Sequence, residues 1–217
     1  MRFASLIFAG LLASSLLPTV VNAETANPQL QDIERYLLLY SATGDERFLQ
    51  RLDKLGAAFE KNLDAQKNST VLKDMWHLYQ QALEQVRAAY SQHGVDLKTA
   101  VAQTAEVAGL FDKFIVADEG APVAPSLADD LRALALLEAR QANNKLRGGG
   151  YAEDVERIAQ LQANVEKRYT ALPAGESRDT LLSRWSYLRK SERPDGATLL
   201  YPFNAQIEYL LEHLPQG

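Results

Sequence analysis

Three histidines, no cysteine and a scatter of carboxylates are the groups in this 217-residue chain that could carry chemistry. His77 follows Trp76, His213 follows Glu212, and His93 precedes Gly94. The first two lie in helical patterning and the third in a turn, so none is set beside a nucleophile. No thiol and no Gly-x-Ser-x-Gly elbow is present, which leaves nucleophilic catalysis without a candidate. Asp74-x-x-His77 has the spacing that puts a carboxylate and an imidazole on one helix face, as metal-holding bundles require. A second such pair is missing. With no Cys-x-x-Cys-His run and only Met75 in the body of the chain, haem attachment has no support either, so no cofactor and no metal is expected.

Other short features invite weighing. Gly148-Gly149-Gly150 could approach an anion, but no Lys-Ser or Lys-Thr follows and no strand precedes, so it is read as an interhelical turn. Arg178, Arg184, Arg189, Lys190 and Arg193 form a basic island on an acidic chain. It serves either as a solvated helix face or as a docking patch for an anion. Glu176-Ser177 could open a helix, with Ser177 as its N-cap and acids in the first turn. It also resembles, at those two positions only, the catalytic Glu-Ser step of soluble lytic transglycosylases. That resemblance implies Glu176 as the acid of a glycan-cleaving reaction, but Arg178-Asp179 replaces the aromatic residue expected next and the later motifs are absent.

The elements that must position these groups are helical throughout. Leu30, Ile33, Leu37 and Tyr40 recur at three and four, after Asn27 as N-cap and Pro28 at the first helical position. Leu49, Leu52, Leu55, Phe59 and Leu63 continue the pattern, as do Leu72, Trp76, Tyr79, Leu83, Val86 and Tyr90. A fourth helix is expected from Asp96 through Val101, Ala105, Ala108 and Ile115. Thr43-Gly44, Asn68-Ser69 and His93-Gly94 break the runs, and connections this short join antiparallel neighbours. Ser126 with Asp129 reads as a capping pair before Leu127, Leu131, Leu134 and Leu137. Arg193-Pro194-Asp195-Gly196 makes a turn before a final helix carrying Phe203, Ile207, Leu210, Leu211 and Leu214. The expected fold is all-α, an up-and-down antiparallel bundle of seven or eight helices.

Residues 120–125, GAPVAP, are the one composition break, and two prolines there stop any helix from crossing. They divide residues 24–119 from 126–217, two nearly equal helical halves expected to form one compact domain. A shift of 106 positions lays Gly150 on Gly44 and matches Arg157, Leu161, Ala163, Glu166, Lys167 and Ala171 to Arg51, Leu55, Ala57, Glu60, Lys61 and Ala65. Three extra loop residues near Pro173 then bring Trp185 onto Trp76. Two pseudo-symmetric halves would explain this; amphipathic helices aligned by their period alone are the alternative.

The first 23 residues, with Arg2, an apolar run from Leu6 to Leu17, Pro18 and small residues at Val21 and Ala23, have the form of a cleavable secretory leader. The run is too short and too broken for a membrane anchor, which needs roughly 20 apolar residues. Cleavage near Ala23 would deliver a periplasmic or secreted chain starting at Glu24, with no integral membrane segment. Loss of Arg2 takes the formal charge from -5 to -6, an acidic balance that disfavours nucleic acid as a partner. Charged residues at 24% and hydrophobic ones at 47% fit a folded globular body without disulfide staples.

Tyr36 to Leu49, YLLLYSATGDERFL, is similar to the segment joining helices in extracytoplasmic sensor domains of bacterial chemoreceptors and histidine kinases. The resemblance spans about 14 residues and implies a helix–turn–helix joint in an envelope-facing bundle. The flanking membrane helices of those receptors are not part of it. These readings converge on noncovalent work in the cell envelope, binding a protein partner or a small anionic or aromatic ligand. Trp76, Tyr79, Trp185 and Tyr187 would supply aromatic walls, and Arg184 and Arg189 an anion contact. An envelope enzyme with dispersed residues, or a structural or stress-protective protein, are the alternatives, and oligomeric state is not legible.

Overall fold

The computed structural model describes residues 28–65, 68–91, 96–118, 124–149, 152–191 and 198–215. The first 23 residues read as a secretory leader, Asn27, His93, Gly94, Gly150, most of the GAPVAP segment and the expected turn at 193–196 lie outside these residues. Eight α-helices and no strand occur among the described residues: α1 Pro28–Thr43, α2 Glu46–Asn62, α3 Ser69–Ser91, α4 Leu97–Asp118, α5 Leu127–Arg147, α6 Ala152–Ala171, α7 Glu176–Arg189 and α8 Leu200–Glu212. The chain is thus an all-α helical bundle. No helix among the described residues is long and apolar enough to cross a membrane.

Local chemistry sets the helix ends. Helix α1 starts at Pro28, whose missing N–H is one of the donors a first turn leaves unpaired anyway. It stops at Gly44, where φ is 65° and the amide donates to the Tyr40 carbonyl at 2.8 Å. Asp45 then caps α2 by accepting from the Arg47 amide at 2.9 Å. Asp96 does the same for α4 through the Lys98 amide at 3.1 Å. Ser126 and Asp129 form the full reciprocal capping box ahead of α5, as their spacing predicts. Helix α7 departs from expectation: its N-cap is Gly175, with no side-chain cap, so Ser177 falls inside the first turn alongside the acids Glu176 and Asp179. The chain leaves no residue with an oxygen side chain at the position preceding Glu176, and backbone conformation alone starts the helix.

Helix α1 is the axis of the molecule. It packs against α2, α4 and, most extensively, α5. The amphipathic pattern Leu30, Ile33, Leu37, Tyr40 marks one buried stripe, but Glu34, Arg35, Tyr36, Leu38, Leu39 and Ser41 are buried as well. A helix enclosed on all sides must carry apolar residues around its whole circumference, which is what Tyr36-Leu37-Leu38-Leu39-Tyr40 provides. Glu34 and Arg35 interrupt that wrap and therefore need partners. Arg35 pairs with Asp32 at 3.1 Å, and its guanidinium carbon lies 4.5 Å from the centroid of the Tyr36 ring.

Two apolar cores result. The first is built from α1 to α4 with Leu136 and Ala139 of α5; the second joins Leu131, Leu134 and Ala135 of α5 to α6, α7 and α8. Helix α5 therefore divides its faces between them. Trp76 belongs to the first core, stacked on Tyr79 with ring centroids 4.3 Å apart, and Trp185 to the second, 6.1 Å from Tyr169. Glu34 meets Arg140, and further along Ser41 meets Asn143. Both sequence numbers rise together, so α1 and α5 run in the same direction.

Candidate functional site

The site is assembled around Glu34, whose side chain is fully buried at the α1–α5 contact. Its Oε1 accepts from Arg140 Nη2 at 2.7 Å and from Arg140 Nε at 3.1 Å. Arg140 also pairs with Asp112 of α4, so one guanidinium bridges two carboxylates from two helices. Burial pushes the Glu34 carboxyl up to about 8, against the pull of Arg140 and with help from the nearby Asp112 charge. The other oxygen, Oε2, is buried without a hydrogen-bond partner.

Beside this cluster lies a cavity of about 320 Å³ between α1, α4 and α5, with Asp154 of α6 also in its lining. Helix α4 makes the space by presenting Ala105, Ala108 and Gly109, and a Cβ added at Gly109 would meet nothing within 4 Å. Asn143 is buried in the wall and donates to Ser41 Oγ at 2.7 Å and Thr104 Oγ1 at 3.3 Å, while its Oδ1 has no partner. Arg147 donates from Nη2 to Asn144 Oδ1, and its Nε is unpaired. The lining residues therefore hold two unpaired buried acceptors and one unpaired buried donor. Each such atom, buried and unmet, costs about 1–3 kcal/mol, so a molecule that meets them gains what the free wall lacks.

Of the residues expected from sequence to bind a ligand, Trp76 and Tyr79 share a cleft, whereas Arg184, Trp185, Tyr187 and Arg189 all lie on α7 and do not line it. Trp76 and Tyr79 form the floor of a separate cleft of about 350 Å³ between α2 and α3, where Gly56 lets the indole approach so closely that an added Cβ would lie 3.0 Å from it. Both rings are almost wholly enclosed. Trp185 is buried in the second core, Tyr187 is exposed on α7, and Arg184 stacks over Tyr209 with 4.4 Å to the ring centroid. Arg189 is half-buried with partners of its own. None of these four lines the Glu34 cavity or the α2–α3 cleft.

His77 is exposed, 2.9 Å from Gln81, and His213 lies at the end of α8, with Nδ1 2.8 Å from the Tyr209 carbonyl. Among the described residues no group of three or more His, Asp or Glu comes together as a metal site. Glu176 is exposed at the start of α7.

Glu34, Asp112, Arg140 and Asn143 were not singled out by motif, yet signals for them exist in the sequence. Glu34 lies one turn ahead of the apolar run Leu37-Leu38-Leu39, and the 106-residue shift that overlays the two halves carries Glu34 onto Arg140. No protein-family model, no curated protein and no solved structure matches the chain. The functional reading therefore rests on this geometry.

Proposed function

We propose that the protein is a non-catalytic binding protein of the cell envelope, whose small-molecule ligand enters the cavity between α1, α4 and α5. The observation that carries the reading is Glu34: fully buried, held on one oxygen by Arg140, with its second oxygen unpaired in the wall of a roughly 320 Å³ space. That volume is at the small end of ligand pockets. With Glu34 ionised, the state that an approaching ligand cation favours, the wall asks for N–H or O–H donors at Glu34 Oε2 and Asn143 Oδ1, and an acceptor at Arg147 Nε. An amino acid or its amide has that pattern: an ammonium or amide nitrogen at one end and a carbonyl or carboxylate at the other.

The test is thermal unfolding with a panel of free amino acids, their amides and small amines, because a ligand bound only by the native state raises apparent stability. At least one member raises the melting temperature of the wild-type protein. Glu34→Gln places an amide donor where the acceptor stood, so the shift shrinks in that variant. A catalytic reading draws on one feature only, a carboxyl raised to about 8 that could act as a general acid. Turnover of a panel member, abolished in Glu34→Gln, would favour it over simple binding.

The envelope location rests on the leader-like first 23 residues. Expression in a Gram-negative host with sequencing of the mature N-terminus is expected to give Glu24 in the periplasmic fraction. A product retaining Met1 there, or one confined to the cytoplasm, contradicts export by cleavage.

A further inference from the structure

The Glu34 cavity has a counterpart on the other side of α1. Four residues of α4 line the cavity at Ala105, Ala108, Gly109 and Asp112, and four residues of α8 line a second cleft at Tyr201, Asn204, Ala205 and Glu208. The spacing of three, one and three is the same in both sets. Each set ends in a carboxylate that pairs with an arginine from another helix: Asp112 with Arg140, and Glu208 with Arg51 at 2.8 Å. The α6 residue lining the first, Asp154, lies 106 positions after the α2 residue Phe48 lining the second, the same shift that overlays the two halves.

The chemistry of the second cleft has diverged from the first. It is about 240 Å³, smaller than the first. Arg47, Arg51 and Lys54 of α2 face Glu208 as its one carboxylate, so the cleft is cationic on an acidic protein. Oε1 of Glu208 takes both Arg51 and the Tyr36 hydroxyl, the latter at 2.6 Å. Arg47 is held in place by Asp45, and its guanidinium carbon lies over the Tyr201 ring, 3.5 Å from the centroid. Lys54 is exposed at the mouth. Asn204 is 2% exposed; its amide nitrogen donates to the Leu200 carbonyl at 2.9 Å, and its Oδ1 is buried without a partner.

We infer that this α2–α8 cleft is a second binding site, for a hydroxylated organic anion such as a sugar acid or a polyol phosphate. The anionic group sits against Lys54 and Arg51, where a cationic cleft concentrates the local field. A hydroxyl of the same molecule donates to Asn204 Oδ1, meeting a buried acceptor that a simple inorganic anion leaves unmet. The exposed part of the Tyr201 ring supplies an apolar wall for the carbon skeleton. This site shares no lining residue with the Glu34 cavity, and it stands or falls separately.

Isothermal titration of the full chain with gluconate and with glycerol 3-phosphate tests it, with acetate, sulfate and neutral glucose as comparison probes. Saturable binding is expected for gluconate, for glycerol 3-phosphate or for both, and which one binds assigns a carboxylate or a phosphate head. Acetate and sulfate, which lack the hydroxyl donor, and glucose, which lacks the charge, bind roughly tenfold or more weakly. Lys54→Ala and Asn204→Ala each weaken the hydroxylated anion by about tenfold, added salt weakens it further, and Glu34→Gln leaves it unchanged. Circular dichroism of the two α2–α8 variants separates lost binding from lost folding, and Lys54, being exposed, can be replaced without touching the core. No saturable binding of either hydroxylated anion overturns the inference, as does binding that Lys54→Ala leaves intact or that acetate and sulfate match.

Discussion

Arg140→Met is expected to destabilise the protein by about 3–5 kcal/mol at pH 9 and by clearly less at pH 6, because removing one partner of a buried ion pair strands the other charge. The sign follows from Glu34. Burial raises its folded-state carboxyl from the ordinary 4.5 to about 8. Its contribution to stability is therefore fully present below about 4.5 and is lost as pH rises through about 8. At pH 6 the carboxyl is mostly protonated, and loss of Arg140 removes hydrogen bonds and the Asp112 pair. At pH 9 the wild-type side chain is mostly ionised and compensated by Arg140, so the variant must bury a bare carboxylate or hold a proton against the solution. The double variant Glu34→Gln, Arg140→Met recovers part of the loss at pH 9, and Glu34→Gln alone flattens the decline of stability between pH 5 and 9. Urea unfolding at the two pH values measures all of this. Equal losses at both pH values would remove Glu34 from the role given to it.

A second large effect is expected along α1. Leu37→Ala, Leu38→Ala and Leu39→Ala should each cost about 2–5 kcal/mol, as fully buried leucines do. These three consecutive positions turn through about 200° of helix, so in a helix lying on a surface at least one would face water and be nearly free to change. All three are at most 1% exposed here, because α2, α4 and α5 surround the helix. A series in which one of the three variants unfolds at the wild-type denaturant midpoint would show that α1 has an open face. Three comparable losses would show that it is enclosed on all sides by α2, α4 and α5.

Much of the framework was legible in the chain because it depends on short-range rules. The period of three and four located the helices, Pro28 and Gly44 bounded α1, and Ser126 with Asp129 announced α5. The final helix was also visible, its Phe203, Ile207 and Leu210 being buried in α8. The start of α7 was misread by two residues because Ser177 is a good cap by type, whereas Gly175 occupies the position by backbone shape. The centrality of α1 was not legible from periodicity, since a stripe pattern reports the most apolar face and says nothing about what covers the others. The run Tyr36 to Tyr40 carried that information in its composition.

The candidate site was harder to read. Glu34 and Arg140 stand 106 residues apart, and Asp112 comes from a third helix, so no local motif encodes their meeting. Aromatic residues drew attention because they are large, but Trp76 and Trp185 spend their area on packing the two cores. The informative residue was the charged one in an apolar setting. A buried carboxylate costs free energy unless paired, and Glu34 is paired on one side only.

The measurement that bears most directly on the proposed function is the ligand-dependent melting temperature of the wild-type protein beside Glu34→Gln and Asn143→Leu, across one panel of amino acids, amides and amines. A panel member that stabilises the wild type, with the shift lost or sharply reduced in both variants, is the result expected of a ligand seated against Glu34 Oε2 and Asn143 Oδ1. A panel that shifts nothing, or a shift of equal size in all three proteins, would contradict the assignment of the cavity between α1, α4 and α5 as the binding site.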